Sequence, residues 1–172
     1  MKKALVLLAL IMLLALAACG GAQQEEELAN PWHDITEAEA AELCPASFVV
    51  PEGAENASWS VMDAEEGASP LVQLSFDLDG NSFTAREQLT EDAGADISGM
   101  YYDWTAQLDE TLQNWGGLAC RSSRHLGDDG YADLCAWYDE ASGVSYSVSV
   151  TAEDLDGFDL LAVAEALAPA GK

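Results

Sequence analysis

A chain of 172 residues with six basic and 31 acidic side chains carries a formal charge of −25 at neutral pH, which repels nucleic acid and anionic phospholipid and favours cationic partners. About 140 residues follow Pro31, enough for one hydrophobic core and too few for two ordinary domains.

The chain opens on Lys2-Lys3 and then runs apolar through the 15 residues Ala4–Ala18. A helix needs about 20 such residues to cross a bilayer, so the run reads as the middle of an export signal. It ends in Leu16-Ala17-Ala18-Cys19, the pattern at which bacterial export attaches lipid. The expectation is a signal peptide over 1–18, lipidation at Cys19, and a mature chain held at the extracytoplasmic face of the cell membrane. An ordinary cleavable signal, with Cys19 there by chance, is the plainer alternative. Two or more acyl chains, each methylene worth about 0.8 kcal/mol when buried, anchor a protein stably. Loss of Lys2 and Lys3 leaves four basic against 31 acidic residues, a net charge of −27. Residues 19–30, with Glu25-Glu26-Glu27 and almost no apolar side chains, read as an acidic tether spanning about 18 Å. Residues 31–172 read as a single extracytoplasmic domain.

Thr36 with Glu39 makes a capping box before Ala40-Ala41-Glu42-Leu43, and Pro45 ends that short helix. Strands are expected at Phe48–Val50 and Trp59–Met62. Val72, Leu74, Phe76 and Leu78 alternate with polar residues, as do Val144, Tyr146, Val148 and Val150, the mark of strands with one wet face. Asp79-Gly80 is a two-residue turn that sets Phe76 opposite Phe83 and Leu74 opposite Ala85. The stretch Tyr101–Trp115 fits both helical and alternating spacing; it is read as extended, ending at Gly116-Gly117. Leu118–Arg124 and Tyr131–Tyr138 complete the strands, and Leu160, Leu161, Ala164 and Leu167 give a terminal helix over about Asp156–Ala168. The fold expected is α+β: a curved antiparallel sheet with a short N-terminal helix and a C-terminal helix packed on it.

Besides Cys19 the chain holds Cys44, Cys120 and Cys135. Cys120 and Cys135 flank the turn 125–130 symmetrically, so a simple hairpin sets them face to face as a candidate disulfide. Cys44 reads as a small buried hydrophobe.

No catalytic or metal-binding constellation emerges. Asp77-Leu78-Asp79-Gly80-Asn81 opens like a calcium loop, but Ser82 stands where the sixth position needs Gly and no Glu follows at the twelfth. Asp154–Asp159 and Asp128-Asp129-Gly130 read as a cap and a turn; a weak composite cation site among these acidic turns is the alternative. His33 and His125 have no metal-ligand spacing with any Cys, and no Gly-x-Ser-x-Gly elbow occurs. Of the five tryptophans, Trp59 shares its face with Val61 and reads as core, whereas Trp137 is out of phase with Leu134 and reads as exposed, part of a candidate platform for sugars or peptides.

Asn30-Pro31-Trp32, Glu39-Ala40-Ala41, Val50-Pro51, Asp96-Ile97-Ser98-Gly99, Ser145-Tyr146-Ser147 and Leu160–Leu167 together resemble a family of small bacterial lipoproteins related to the extracytoplasmic domains of anti-sigma regulators. The resemblance covers nearly all of 30–167 and implies a curved antiparallel sheet with flanking helices and a binding or sensing role; it implies no catalytic residue. The three cysteines and the acidity depart from the family's usual pattern. The leading expectation is a non-enzymatic, membrane-anchored domain that binds an envelope protein or a cationic ligand, with no cofactor, metal or nucleic acid. A solute- or cation-binding lipoprotein serving a transporter is the second reading, and a hydrolase using scattered carboxylates the third.

Overall fold

A computed structural model describes residues 30–64, 67–128, 130–154 and 158–170. The signal peptide, Cys19, the tether before Asn30, Asp129 and Asp156 lie outside the described residues.

The described chain runs β1 (Trp32–Ile35), α1 (Glu37–Leu43), β2 (Glu55–Met62), β3 (Leu71–Leu78), β4 (Asn81–Leu89), β5 (Ala106–Leu112), β6 (Leu118–Gly127), β7 (Gly130–Asp139), β8 (Val144–Ala152) and α2 (Leu160–Ala166). The strands form one open sheet in the order β1-β2-β3-β4-β8-β7-β6-β5. Every neighbouring pair is antiparallel. Two four-stranded meanders therefore meet at a central β4–β8 seam, and β1 and β5 form the outer edges.

The β3–β4 hairpin has the expected register, Phe76 opposite Phe83 and Leu74 opposite Ala85. Asp79 and Gly80 both take positive φ, 51° and 82°, which the primed turn of a two-residue hairpin requires. Nothing lies within 4 Å of where a Gly80 Cβ would stand, so backbone strain alone opposes a side chain there. Gly80→Ala should cost about 1 kcal/mol, read as a lowered urea midpoint with an unchanged slope.

One face of the sheet carries the main core. Trp59, Leu74, Phe76, Val148, Trp137 and their neighbours are buried there with Ala40 of α1 and Leu160, Val163 and Ala164 of α2. The capping box at Thr36 and Glu39 is present, and Asp159 caps α2 by accepting from Ala162 N–H at 3.3 Å.

Three expectations need correction. The segment Phe48–Val50 forms no strand; its backbone donors are taken elsewhere, Phe48 N–H by the Glu87 carboxylate and Val49 N–H by the Leu167 carbonyl. The polar side of β8 is dry: Ser145, Ser147 and Ser149 are buried. Thr90 Oγ bonds Ser145 Oγ at 2.8 Å, and Arg86, paired with Ser147, donates to the Ser98 carbonyl at 2.8 Å, so the chain between β4 and β5 lies over this face. Trp137 is also buried, because both faces of β7 are covered and opposite phase to Leu134 does not bring it to solvent. The four-residue β1 had no alternation long enough to announce it.

Candidate functional site

The cysteines settle differently from the symmetric hairpin. β6 and β7 pair Gly127 with Gly130, which places Cys120 opposite Trp137 and Ser122 opposite Cys135. The two cysteines share the core face as diagonal neighbours, not a facing pair, because the turn centre lies one residue beyond the midpoint between them. Both are buried free thiols in this structure. They interact: Cys135 is pushed far above the ordinary thiol range by its hydrogen bond to Cys120 and by burial. Cys44 is a buried thiol raised to about 12 by desolvation and the Glu87 charge, as its reading as a small hydrophobe anticipates.

The other sequence candidates do not converge. His33 lies on edge strand β1, while His125 on β6 donates from Nδ1 to the Asp103 carbonyl at 2.8 Å and packs on Tyr102. Asp77 accepts from Ser82 and Asn56 at 2.6 and 2.7 Å, bonds that hold its carboxyl below the usual range. Those donors use the oxygens a calcium loop would offer. Trp59, Trp115 and Trp137 are core residues, and Trp32 lies under Arg86 at 5.2 Å, so the tryptophans form no common platform.

The geometry points to a cleft between α2 and the outer end of the sheet. α2 has only seven residues, a rod of about 10 Å, with Leu160, Val163 and Ala164 in the core and a polar anchor on the β5–β6 turn. Trp115 Nε1 donates to the Ala164 carbonyl at 2.8 Å, and the Glu165 carboxylate accepts from the Gln113 and Asn114 backbone N–H groups in the β5–β6 turn. Away from that anchor the core face of β5 stays open, leaving Leu108 64% exposed.

The resulting cleft has a volume of about 330 Å³. Its sheet wall carries Ala106, Leu108, Glu110, Arg124 and Asp133, and Phe158 and Leu161 stand across from them. Arg124 and Asp133 are register partners joined in a bidentate pair, Nε to Oδ1 at 2.7 Å and Nη2 to Oδ2 at 2.5 Å. The Asp133 side chain is 6% exposed and that of Arg124 34%, so the pair forms a polar floor with the guanidinium on its wet side. Arg124 also donates to the Phe158 carbonyl at 3.3 Å, which ties the approach to α2 onto the sheet. Ser122 donates to Glu110.

Three carboxylates, Glu110, Asp133 and Asp159, and one guanidinium line the cleft beside apolar side chains. Asp133 is neutralised by Arg124, so the remaining charge is negative and belongs to Glu110 and Asp159. Neither histidine is among the residues lining it, and the Ser122 hydroxyl is turned to a carboxylate instead of an imidazole. Such a set suits capture of a ligand with an apolar body and a cationic group.

Comparison with known proteins finds no matching family model, no similar curated protein and no matching solved structure. What the cleft does is therefore read from its own chemistry.

Sequence reasoning missed the cleft, because its depth depends on how far α2 reaches. One signal was available for a second missed residue. Glu87 continues the inward phase of Phe83 and Ala85, and it is fully buried, accepting from Ser47 Oγ at 2.6 Å and Phe48 N–H at 3.2 Å.

Proposed function

We propose that this chain is a lipid-anchored extracytoplasmic binding domain, non-enzymatic, fixed to the cell membrane through Cys19 and engaging its ligand in the cleft beside α2. The observation that carries the binding half is the open apolar strip at Leu108, set beside a half-buried ion pair whose charges already satisfy each other. A polar floor held this way orients a ligand without supplying a free nucleophile or base. The curvature expected of the sheet, with both helices on its concave side, would deepen this cleft.

The anchoring half rests on Leu16-Ala17-Ala18-Cys19 after a 15-residue apolar run. Cells grown with an alkyne fatty acid should yield a labelled protein that sediments with membranes. Cys19→Ala should abolish the label and release the chain from the membrane fraction. An unlabelled wild-type protein recovered in the cytosol would sink this reading.

A further inference from the structure

We infer that the cleft receives an extended basic peptide segment that adds as a strand to the outer edge of β5. This rests on the cleft being the binding site and goes further, naming the ligand class and the mode of contact.

β5 ends the sheet, and among the described residues only β6 pairs with it. Its seven residues offer about 23 Å of backbone edge. Open edges recruit other chains unless Pro, a bulge or charged side chains blunt them, and a charged edge admits only a partner of opposite sign. The β5 sequence, Ala106-Gln107-Leu108-Asp109-Glu110-Thr111-Leu112, contains neither Pro nor Lys, and its pairing with β6 runs without a register shift. Its only charges are acidic.

That sign selects the occupant. A second copy of the anchored chain would bring another net charge of −27 against the edge, and an acidic peptide would meet Glu110 directly, Asp109 being paired with Arg121 at 2.9 Å on the other face. A basic segment is attracted instead. Alternation then fixes the pattern: side chains at every second position of the added strand fall on the cleft side, next to Ala106 and Leu108 and toward Phe158 and Leu161. Backbone hydrogen bonds supply affinity and the alternating side chains supply selection. The favoured segment therefore carries an apolar residue and a Lys or Arg two positions apart, both on the cleft side, the apolar one beside Leu108 and the cation beside Glu110 and toward Asp159.

The test uses full-length protein purified in detergent micelles and a fluorescent ten-residue peptide with Val and Lys alternating at the odd positions and Thr at the even ones, so that one face carries both. Three comparison probes are the same peptide with Glu for Lys, the same peptide N-methylated at alternate amides, and spermidine as a small cation. Wild-type protein should bind the Val-Lys peptide with saturable anisotropy, at least tenfold more tightly than either modified peptide, and spermidine should not displace it at equal concentration. Leu108→Lys should weaken binding at least tenfold. His33→Lys, on exposed edge strand β1, adds a comparable charge far along the sheet and should change it less than twofold. Ala106→Lys, also exposed and on the same face as Leu108, should repeat the Leu108→Lys result, so one misfolded variant cannot decide the outcome.

Equal weakening by His33→Lys would mean diffuse charge attraction only, and unchanged binding of the N-methylated peptide would remove strand addition; either overturns the inference. Displacement by spermidine, equal binding of the Glu peptide, or no binding at all does so too. Failure here with the fatty-acid label intact leaves the anchored domain standing, whereas an absent label with cleft binding intact removes the anchor alone.

Discussion

Trp115→Ala should destabilise the domain by about 3–5 kcal/mol, a large share of the roughly 5–15 kcal/mol that holds a domain of ordinary stability together. Trp115 is buried in a four-ring cluster, with centroids 6.0 Å from Phe48, 5.1 Å from Trp137 and 4.8 Å from Tyr146. Its indole N–H also holds the Ala164 carbonyl, so truncation leaves a cavity and loosens α2 from the β5–β6 turn. Trp115→Phe keeps one ring of the packing while losing the bond and part of the buried volume, and should cost less than the alanine change. Urea unfolding at pH 7 measures both. A loss below about 1 kcal/mol for the alanine variant would show that the cluster does not hold the helix.

The second large effect is a pH dependence of unusual sign. Burial raises the Glu87 carboxyl from its ordinary 4.5 to about 7, against the lowering pull of its bonds from Ser47 and Phe48. The facing groups Cys44 and Tyr146 are themselves pushed up by the Glu87 charge and offer no compensating cation. Between pH 4.5 and 7 the folded protein keeps this proton while the unfolded chain has released it. The unfolded state then binds fewer protons, and stability falls as pH rises through the window. A shift of this size corresponds to about 3 kcal/mol. Thermal melts should therefore show a higher midpoint at pH 5.5 than at pH 8. Glu87→Gln should flatten the slope that belongs to this group and leave the broader effect of the chain's net charge. Unchanged slopes in the two proteins would show that Glu87 ionises normally.

The parts of the fold legible in the sequence are those fixed by neighbours. Asp79-Gly80 dictates a turn type, and the turn sets the whole β3–β4 register. The capping box at Thr36 and Glu39 is similarly local. The rest depended on distant partners. Phe48 has the residues of a strand, yet its donor goes to a carboxylate 39 positions away. The serines of β8 alternate like a wet face and are dry because the chain between β4 and β5 crosses them. The hairpin from Cys120 to Cys135 was placed by the symmetry of two cysteines, and the glycines at 127 and 130 shifted its centre. The cleft is least legible of all, since no residue in it marks the limit of α2's reach.

The central seam has a consequence for how this chain reaches its final form. Leu89 pairs with Val144 and Phe83 with Val150, so the two halves close only when segments more than fifty positions apart meet, a slow kind of step. Until then β4 is a raw margin, its backbone edge toward β8 without a partner strand. A chain emerging amino-terminus first displays that margin for as long as the remainder takes to follow. Premature termination before Val144 leaves it permanently bare, and clumping with its own kind is the expected fate of such a fragment.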